Sequence, residues 1–194
     1  MGIRYLLSRS GNFGTHTVPL ALACLNTTGP VLELSCGYYS TLLLHSLCKK
    51  QGRSLTTADH NLKWLSKFRY LETDWHQLIH VPIPPRLGHV NDILYRWHTK
   101  TRQQIDNLWD QVGADQHWGL VLIDHLPAAR RVVDLERLRP NTDVFVLHNT
   151  DRVNNFIFRF WPYLKTFNYV YEYPVTPGTV ICSDKVDGKT FIEK

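Results

Sequence analysis

The residues that could do chemistry fall into four short polar runs, each placed directly after an apolar stretch. Glu33 to Thr41 reads Glu-Leu-Ser-Cys-Gly-Tyr-Tyr-Ser-Thr; Asp59-His60 follows Leu55 to Ala58, Asp124-His125 follows Leu120 to Ile123, and His148-Asn149 follows Val144 to Leu147. A carboxylate such as Asp59 can accept two hydrogen bonds from neighbouring sugar hydroxyls, and an acid at a strand end otherwise only stays solvated. Ser35 and Gly37 keep the first loop small enough for a ligand to approach, provided Ser35 has ordinary backbone angles. Ser40 and Thr41 can cap a following helix whatever the ligand. His125, with an ordinary pKa of about 6.5, suits proton transfer near neutrality.

These runs need strands and helices to hold them. Val31 to Leu34, after Gly29-Pro30, reads as a short buried strand entering a tight loop. A helix is predicted from about Ser40 to Gln51, with Leu42, Leu43, Leu47 and Cys48 on one face and Gly52 as its stop. A strand over Ser54 to Ala58 ends on Asp59, Leu62 to Tyr70 resumes a helical pattern, and Gln77 to Val81 is a weaker strand before Pro82, Pro84 and Pro85. Val90 to Val112 carries Ile93, Leu94, Trp97, Ile105, Leu108 and Trp109 at helical spacing, as one helix or two. Leu120 to Ile123 and Val144 to Leu147 are buried strands joined by a crossover helix over Arg130 to Leu138. Tyr169 to Tyr173 and Thr179 to Ser183, separated by Pro174, Pro177 and Gly178, predict an antiparallel hairpin. The alternation gives an α/β fold: a doubly wound, mostly parallel sheet with a C-terminal antiparallel β-hairpin and helices on both faces. Such a sheet binds ligands beyond the carboxyl ends of its strands, where the four polar runs fall.

The 194 residues suit one domain, 1–194, with a helical lead-in over about the first thirty. A hydrophobic fraction of 43% excludes a disordered chain. Lysine and arginine number 22 against 17 acidic residues, and the net +5 attracts anions only mildly. The basic residues are scattered, and the short clusters Lys49, Lys50 and Arg53, or Arg130 and Arg131, read as solvated surface, so nucleic acid is not indicated. Cys24, Cys36, Cys48 and Cys182 show no CxxC spacing and no secretory leader precedes them, which predicts reduced, buried thiols. No long apolar stretch opens the chain, so a soluble cytoplasmic protein without a membrane segment is expected. His45, His76, His80, His89, His98 and His117 show no compact ligand pattern.

Leu32 to Thr41 resembles the first motif of class I S-adenosylmethionine-dependent methyltransferases, in which an acidic residue leads a glycine loop around the cofactor's methionine part. Asp59, with His60 behind it, stands where that Rossmann-like family places the acid that binds the ribose hydroxyls. Leu122 to His125 resembles the strand-four motif, and Val146 to Asn149 the strand-five ending, of its small-molecule O-methyltransferases. Thr15-His16 resembles an amino-terminal feature that lies across the cofactor, and equally a plain helix start. The likeness, from Thr15 to Ser183, implies S-adenosylmethionine as cofactor, held by His16, Glu33, Ser35, Gly37, Ser40, Thr41, Asp59, His60 and Asp124. It also implies a small-molecule acceptor and catalytic roles for Asp124, His125 and His148. In metal-dependent catechol-type relatives, two aspartates and an asparagine at corresponding strand ends bind magnesium. Here Asp124, His148 and Asn149 would be the set for a divalent metal, and the histidine shifts its preference towards zinc or iron. Against the pattern, Ser35 replaces the usual first glycine, Tyr39 stands where glycine is frequent, a lysine base is absent from Leu126-Pro127, and no acid follows Val81 to meet an adenine.

Those departures keep a second reading open, a methyltransferase-like domain that binds cofactor, or keeps only the fold, without turnover. A nucleotide-linked dehydrogenase is a third and fits less well, because the first loop lacks GxGxxG. The acceptor and the oligomeric state are not legible.

Overall fold

A computed structural model describes residues 15–84, 92–152, 154, 158–173 and 175–191. Pro85, His89, Val90, Phe156, Pro174 and the first fourteen residues of the lead-in lie outside them, as do the side chains of Ile93 and Leu94.

Seven strands form one sheet: β1 (Val31–Leu34), β2 (Leu55–Asp59), β3 (His76–His80), β4 (Trp118–Ile123), β5 (Thr142–His148), β6 (Tyr169–Tyr173) and β7 (Thr179–Ser183). Their order across the sheet is β3-β2-β1-β4-β5-β7-β6. The first five run parallel, and β7 returns antiparallel between β5 and β6 as the closing hairpin. The order reverses between β1 and β4, which opens a crevice at their carboxyl ends. The helices are α1 (Thr17–Leu25), α2 (Thr41–Gln51), α3 (Leu62–Leu65), α4 (Asp92–Trp97), α5 (Thr99–Trp109), α6 (Arg131–Leu138) and α7 (Trp161–Leu164). Gly52 ends α2 in the left-handed conformation expected of a helix stop. The helical stretch after Asn61 tightens into a 3-10 turn over Ser66–Leu71. The span before Val112 splits into two helices at His98, whose side chain caps α5 by accepting from the Thr101 amide.

Side chains alternate across the strands and fill cores on both faces. On one face Leu32, Leu34, Val121, Ile123, Phe145 and Leu147 pack with Ile105, Trp109, Leu135 and Leu138 from α5 and α6. On the other Val31, Leu120, Leu122, Val144 and Val146 meet Leu20, Cys24, Leu44 and Cys48 from α1 and α2. All four cysteines are buried thiols. Among the described residues no helix is long and apolar enough to cross a membrane.

Three arginines expected on the solvated surface are buried. Arg53 closes the amino-terminal end of the sheet, donating to the carbonyls of Cys24, Thr27 and Gly29. Arg130 and Arg131 are 0% and 4% exposed. A guanidinium goes inside when the fold supplies acceptors for its donors, and here carbonyls and carboxylates do so.

Candidate functional site

Glu33 sits midway along β1 on the α2 side and is fully buried. Its two carboxyl oxygens accept from Thr41 Oγ1 at 3.0 Å and Thr57 Oγ1 at 2.7 Å. Thr41 in turn accepts from the Gly37 amide at 2.8 Å, so one side chain fixes both the acid and the turn above it. Burial pushes the Glu33 carboxyl up to about 7, although bonds from Ser40, Thr57 and Thr41 oppose the rise. On its far side Thr57 meets His76 Nε2 at 3.0 Å, and His76 Nδ1 meets His45 Nδ1 at 2.9 Å. A polar chain thus crosses β1, β2 and β3 and ends at half-buried His45 on α2. Ser40 stands at the start of α2 but makes no capping bond through its hydroxyl.

Asp59 closes β2 and turns towards the loop after β1. Its Oδ2 accepts from Ser35 Oγ and the Cys36 amide, both at 3.0 Å, and Oδ1 from the Asn61 amide at 2.7 Å. Ser35 does not have ordinary backbone angles: its φ is +85°, a region that favours glycine. The strain and the hydroxyl act together, since the left-handed turn is what brings Ser35 Oγ onto Asp59. His60 lies beside Asp59, with Nδ1 3.5 Å from Oδ1, and burial lowers its pKa.

The second group stands over β4 and β5. Asp124 continues β4, its amide donating to the Leu34 carbonyl at 3.0 Å, so the two groups flank the β1–β4 crevice. Its carboxylate, 28% exposed, lies 3.0 Å from Arg131 Nη2 and 3.1 Å from His148 Nδ1. Burial alone would raise this carboxyl, but Arg131 and His148 outweigh it and hold it at about 2. With Asp124 accepting at Nδ1, the His148 ring presents Nε2 to Thr15 Oγ1, 3.0 Å away. The His16 ring lies 4.4 Å from that of His148. Burial, reinforced by His148, lowers the His16 pKa to about 4, so the ring is neutral at pH 7, and its buried Nδ1 has no hydrogen-bond partner among the described residues.

Two expectations fail here. His125 does not face the crevice; it is fully buried beside Trp109, with Nε2 2.8 Å from Asp134, and burial lowers its pKa. Consecutive residues leaving a strand point to opposite faces, so Asp124 is the one at the site. Asp124, His148 and Asn149 do come together, but not around a metal-sized opening: Asp124 and the Asn149 Oδ1 bind the Arg131 guanidinium, and both His148 nitrogens are engaged. Those residues do not fit a divalent cation. The residue that sequence reasoning missed is Arg131, at the first position of α6, and nothing in the pattern Ala-Ala-Arg-Arg distinguishes it from a surface pair.

No family profile matches the chain, and no curated protein matches it either. Solved structures do. One is a Staphylococcus aureus protein provisionally assigned as a caffeoyl-CoA O-methyltransferase, at 11% identity over 94% of this chain and 92% of that one, with a TM-score of 0.56. The O-methyltransferase TomG from Streptomyces achromogenes, involved in tomaymycin synthesis and solved with SAM, shares 14% over 93% and 89%, at 0.54. The SAH-bound methyltransferase PaMTH1 from Podospora anserina shares 15% over 89% and 78%, at 0.51. With its strand order, its reversed final hairpin and its helices on both faces, the chain has the Rossmann-like fold of the class I methyltransferases.

Proposed function

We propose that this protein is an S-adenosylmethionine-dependent methyltransferase acting on a small-molecule hydroxyl. The observation that carries the reading is the placement of Asp59, at the carboxyl end of β2 and against the small Ser35–Gly37 loop, beside the crevice where the strand order reverses. The residues present fit the cofactor. Asp59 can accept from ribose hydroxyls in place of Ser35, Gly37 offers backbone without a side chain, and the His16 Nδ1, which has no hydrogen-bond partner among the described residues, can take one across the crevice. Glu33, Thr41 and Ser40 support the loop from beneath rather than reaching into the crevice.

The cofactor would supply an electrophilic methyl on a sulfonium. The chain's own contribution is alignment: an acceptor oxygen must lie in line with that methyl, and holding it there removes most of the barrier that orientation imposes. Asp124 is half-buried and can accept a hydrogen bond from an acceptor hydroxyl. A carboxylate held at about 2 is a poor proton acceptor, so Asp124 orients rather than deprotonates. A cytoplasmic setting suits the four thiols.

Calorimetric titration with S-adenosylmethionine and S-adenosylhomocysteine tests this, with Asp59→Ala as the comparison. Saturable binding to the wild type, weakened at least about tenfold in the variant, is the expected result, since two charge-assisted hydrogen bonds are lost. Absence of binding by the folded wild type would leave a chain that keeps only the fold.

A further inference from the structure

The best satisfied charged group at the candidate site is neither an acid nor a histidine. Around the Arg131 guanidinium lie five oxygens: the His125 carbonyl at 2.8 Å from Nε, the His148 carbonyl and Asn149 Oδ1 each at 3.2 Å from Nη1, and the Asp124 carbonyl and Oδ1 at 2.7 and 3.0 Å from Nη2. Four of these contacts are hydrogen bonds from the planar guanidinium and the fifth, to Asp124 Oδ1, is an ion pair. Phe158 covers one face of the group, with its ring centroid 4.8 Å from Cζ. Three of the acceptors belong to the end of β4 and its continuation and two to the end of β5, while the cation itself comes from α6. Asn149 reaches the group from a left-handed backbone, φ +61°, which asparagine tolerates better than most residues.

Five oxygens of carboxylate, amide and carbonyl type, converging from two strand ends, make a seat that suits a hard cation. We propose that Arg131 is the resident cation of this seat: it takes the place a divalent metal would need, joins the ends of β4 and β5, and fixes Asp124 and through it the His148 ring. Arg131 is then a positioning residue, one that touches Asp124 and Asn149 and acts through them. Two consequences separate it from an ordinary buried arginine. The wild-type protein takes up no divalent ion at Asp124, because the seat is filled by a tethered group whose local concentration a free ion cannot match. And His148 keeps its proton on Nδ1, facing a carboxylate that Arg131 holds in place. Neither depends on methyl transfer, so this inference and the proposed function stand or fall separately.

The test is nuclear magnetic resonance of the full-length protein with ¹⁵N-labelled histidine, the His148 ring being assigned by its loss in His148→Asn. In the wild type, the ring should show a protonated Nδ1 and an unprotonated Nε2, and added Mn²⁺ should leave its signals unbroadened. Arg131→Met should lose the single Nδ1–H form and let Mn²⁺ broaden His148, an effect that Asp124→Asn in the same chain abolishes. Arg131→Lys keeps a charge but lacks the planar fork, and it should restore resistance to Mn²⁺ without restoring a single tautomer. Asp124-dependent broadening of His148 in the wild type would overturn the proposal, as would an Arg131→Met protein with the wild-type His148 spectrum. The wild-type titration decides the matter even if Arg131→Met fails to fold.

Discussion

At Glu33, one carboxyl group is asked to do two incompatible things. It must accept hydrogen bonds from Thr41 and Thr57 to hold the first loop, and it must do so with no contact with water. The cost appears in its pKa, raised by burial from the usual 4.5 to about 7. The folded state therefore holds a proton that the unfolded chain has lost once the pH exceeds about 4.5, and stability falls as the pH rises towards 7, then levels off. A full shift of this size is worth on the order of 3 kcal/mol. Glu33→Gln has no such titration, so its stability relative to wild type should improve by on the order of 2 to 3 kcal/mol between pH 5 and pH 8. Urea denaturation midpoints of both proteins across that range measure it. A constant difference between them would mean that the carboxyl keeps its ordinary pKa and that the bonds from the threonines offset the burial.

At the scale of the element, α6 turns a crossover helix into a clamp. Arg130, at the end of the turn before it, binds Asp106 and Asp110 of the α5 segment and Asp134 of α6 itself, while Arg137 reaches Asp134 and the Trp109 and Val112 carbonyls. Asp134 is fully buried; burial would raise its carboxyl, but His125 and Arg130 hold it well below the usual range, and Arg130 is the partner that carries a permanent charge. Neutralising that carboxylate leaves Arg130 short of its buried counter-ion, so Asp134→Asn should lose about 3 to 5 kcal/mol of unfolding free energy. Chemical denaturation measures that loss, and an effect under about 1 kcal/mol would show that Asp106 and Asp110 suffice for Arg130. This clamp was not legible in the sequence. The strands were, because Leu120 to Ile123 and Val144 to Leu147 are uninterrupted apolar runs of strand length ending on polar residues. The helix stop at Gly52 and the hairpin from Tyr169 to Ser183 were legible for the same local reason. Arg53, Arg130 and Arg131 were not, since an arginine is normally solvated and only the assembled fold gathers the carbonyls that accept from it. That His125 turns away from the crevice while Asp124 stays at it was equally hidden: two adjacent polar residues leave β4 on opposite sides, and composition does not say which side meets the helices.

At the scale of the whole molecule, the crevice between β1 and β4 divides the candidate site into halves held by different parts of the chain. Glu33, Ser35 and Asp59 depend on β1, β2 and α2; Asp124, His148 and His16 depend on β4, β5 and the lead into α1. Direct backbone bonding joins the halves at the strand ends through Leu34 and Asp124, and a ligand lying across the crevice would add contacts to both. Because such a ligand binds only the folded chain, it stabilises the molecule by about 2.7 kcal/mol at a hundred times its dissociation constant. For a chain of this length that corresponds to a rise in Tm of roughly 5 to 10 °C. S-Adenosylhomocysteine should give this rise in a thermal melt. NAD should not, because the loop from Ser35 to Ser40 has one glycine where a pyrophosphate cradle needs several. If the nicotinamide cofactor shifts the melt and S-adenosylhomocysteine does not, the crevice serves a different nucleotide, and Asp59 binds its ribose for hydride chemistry instead.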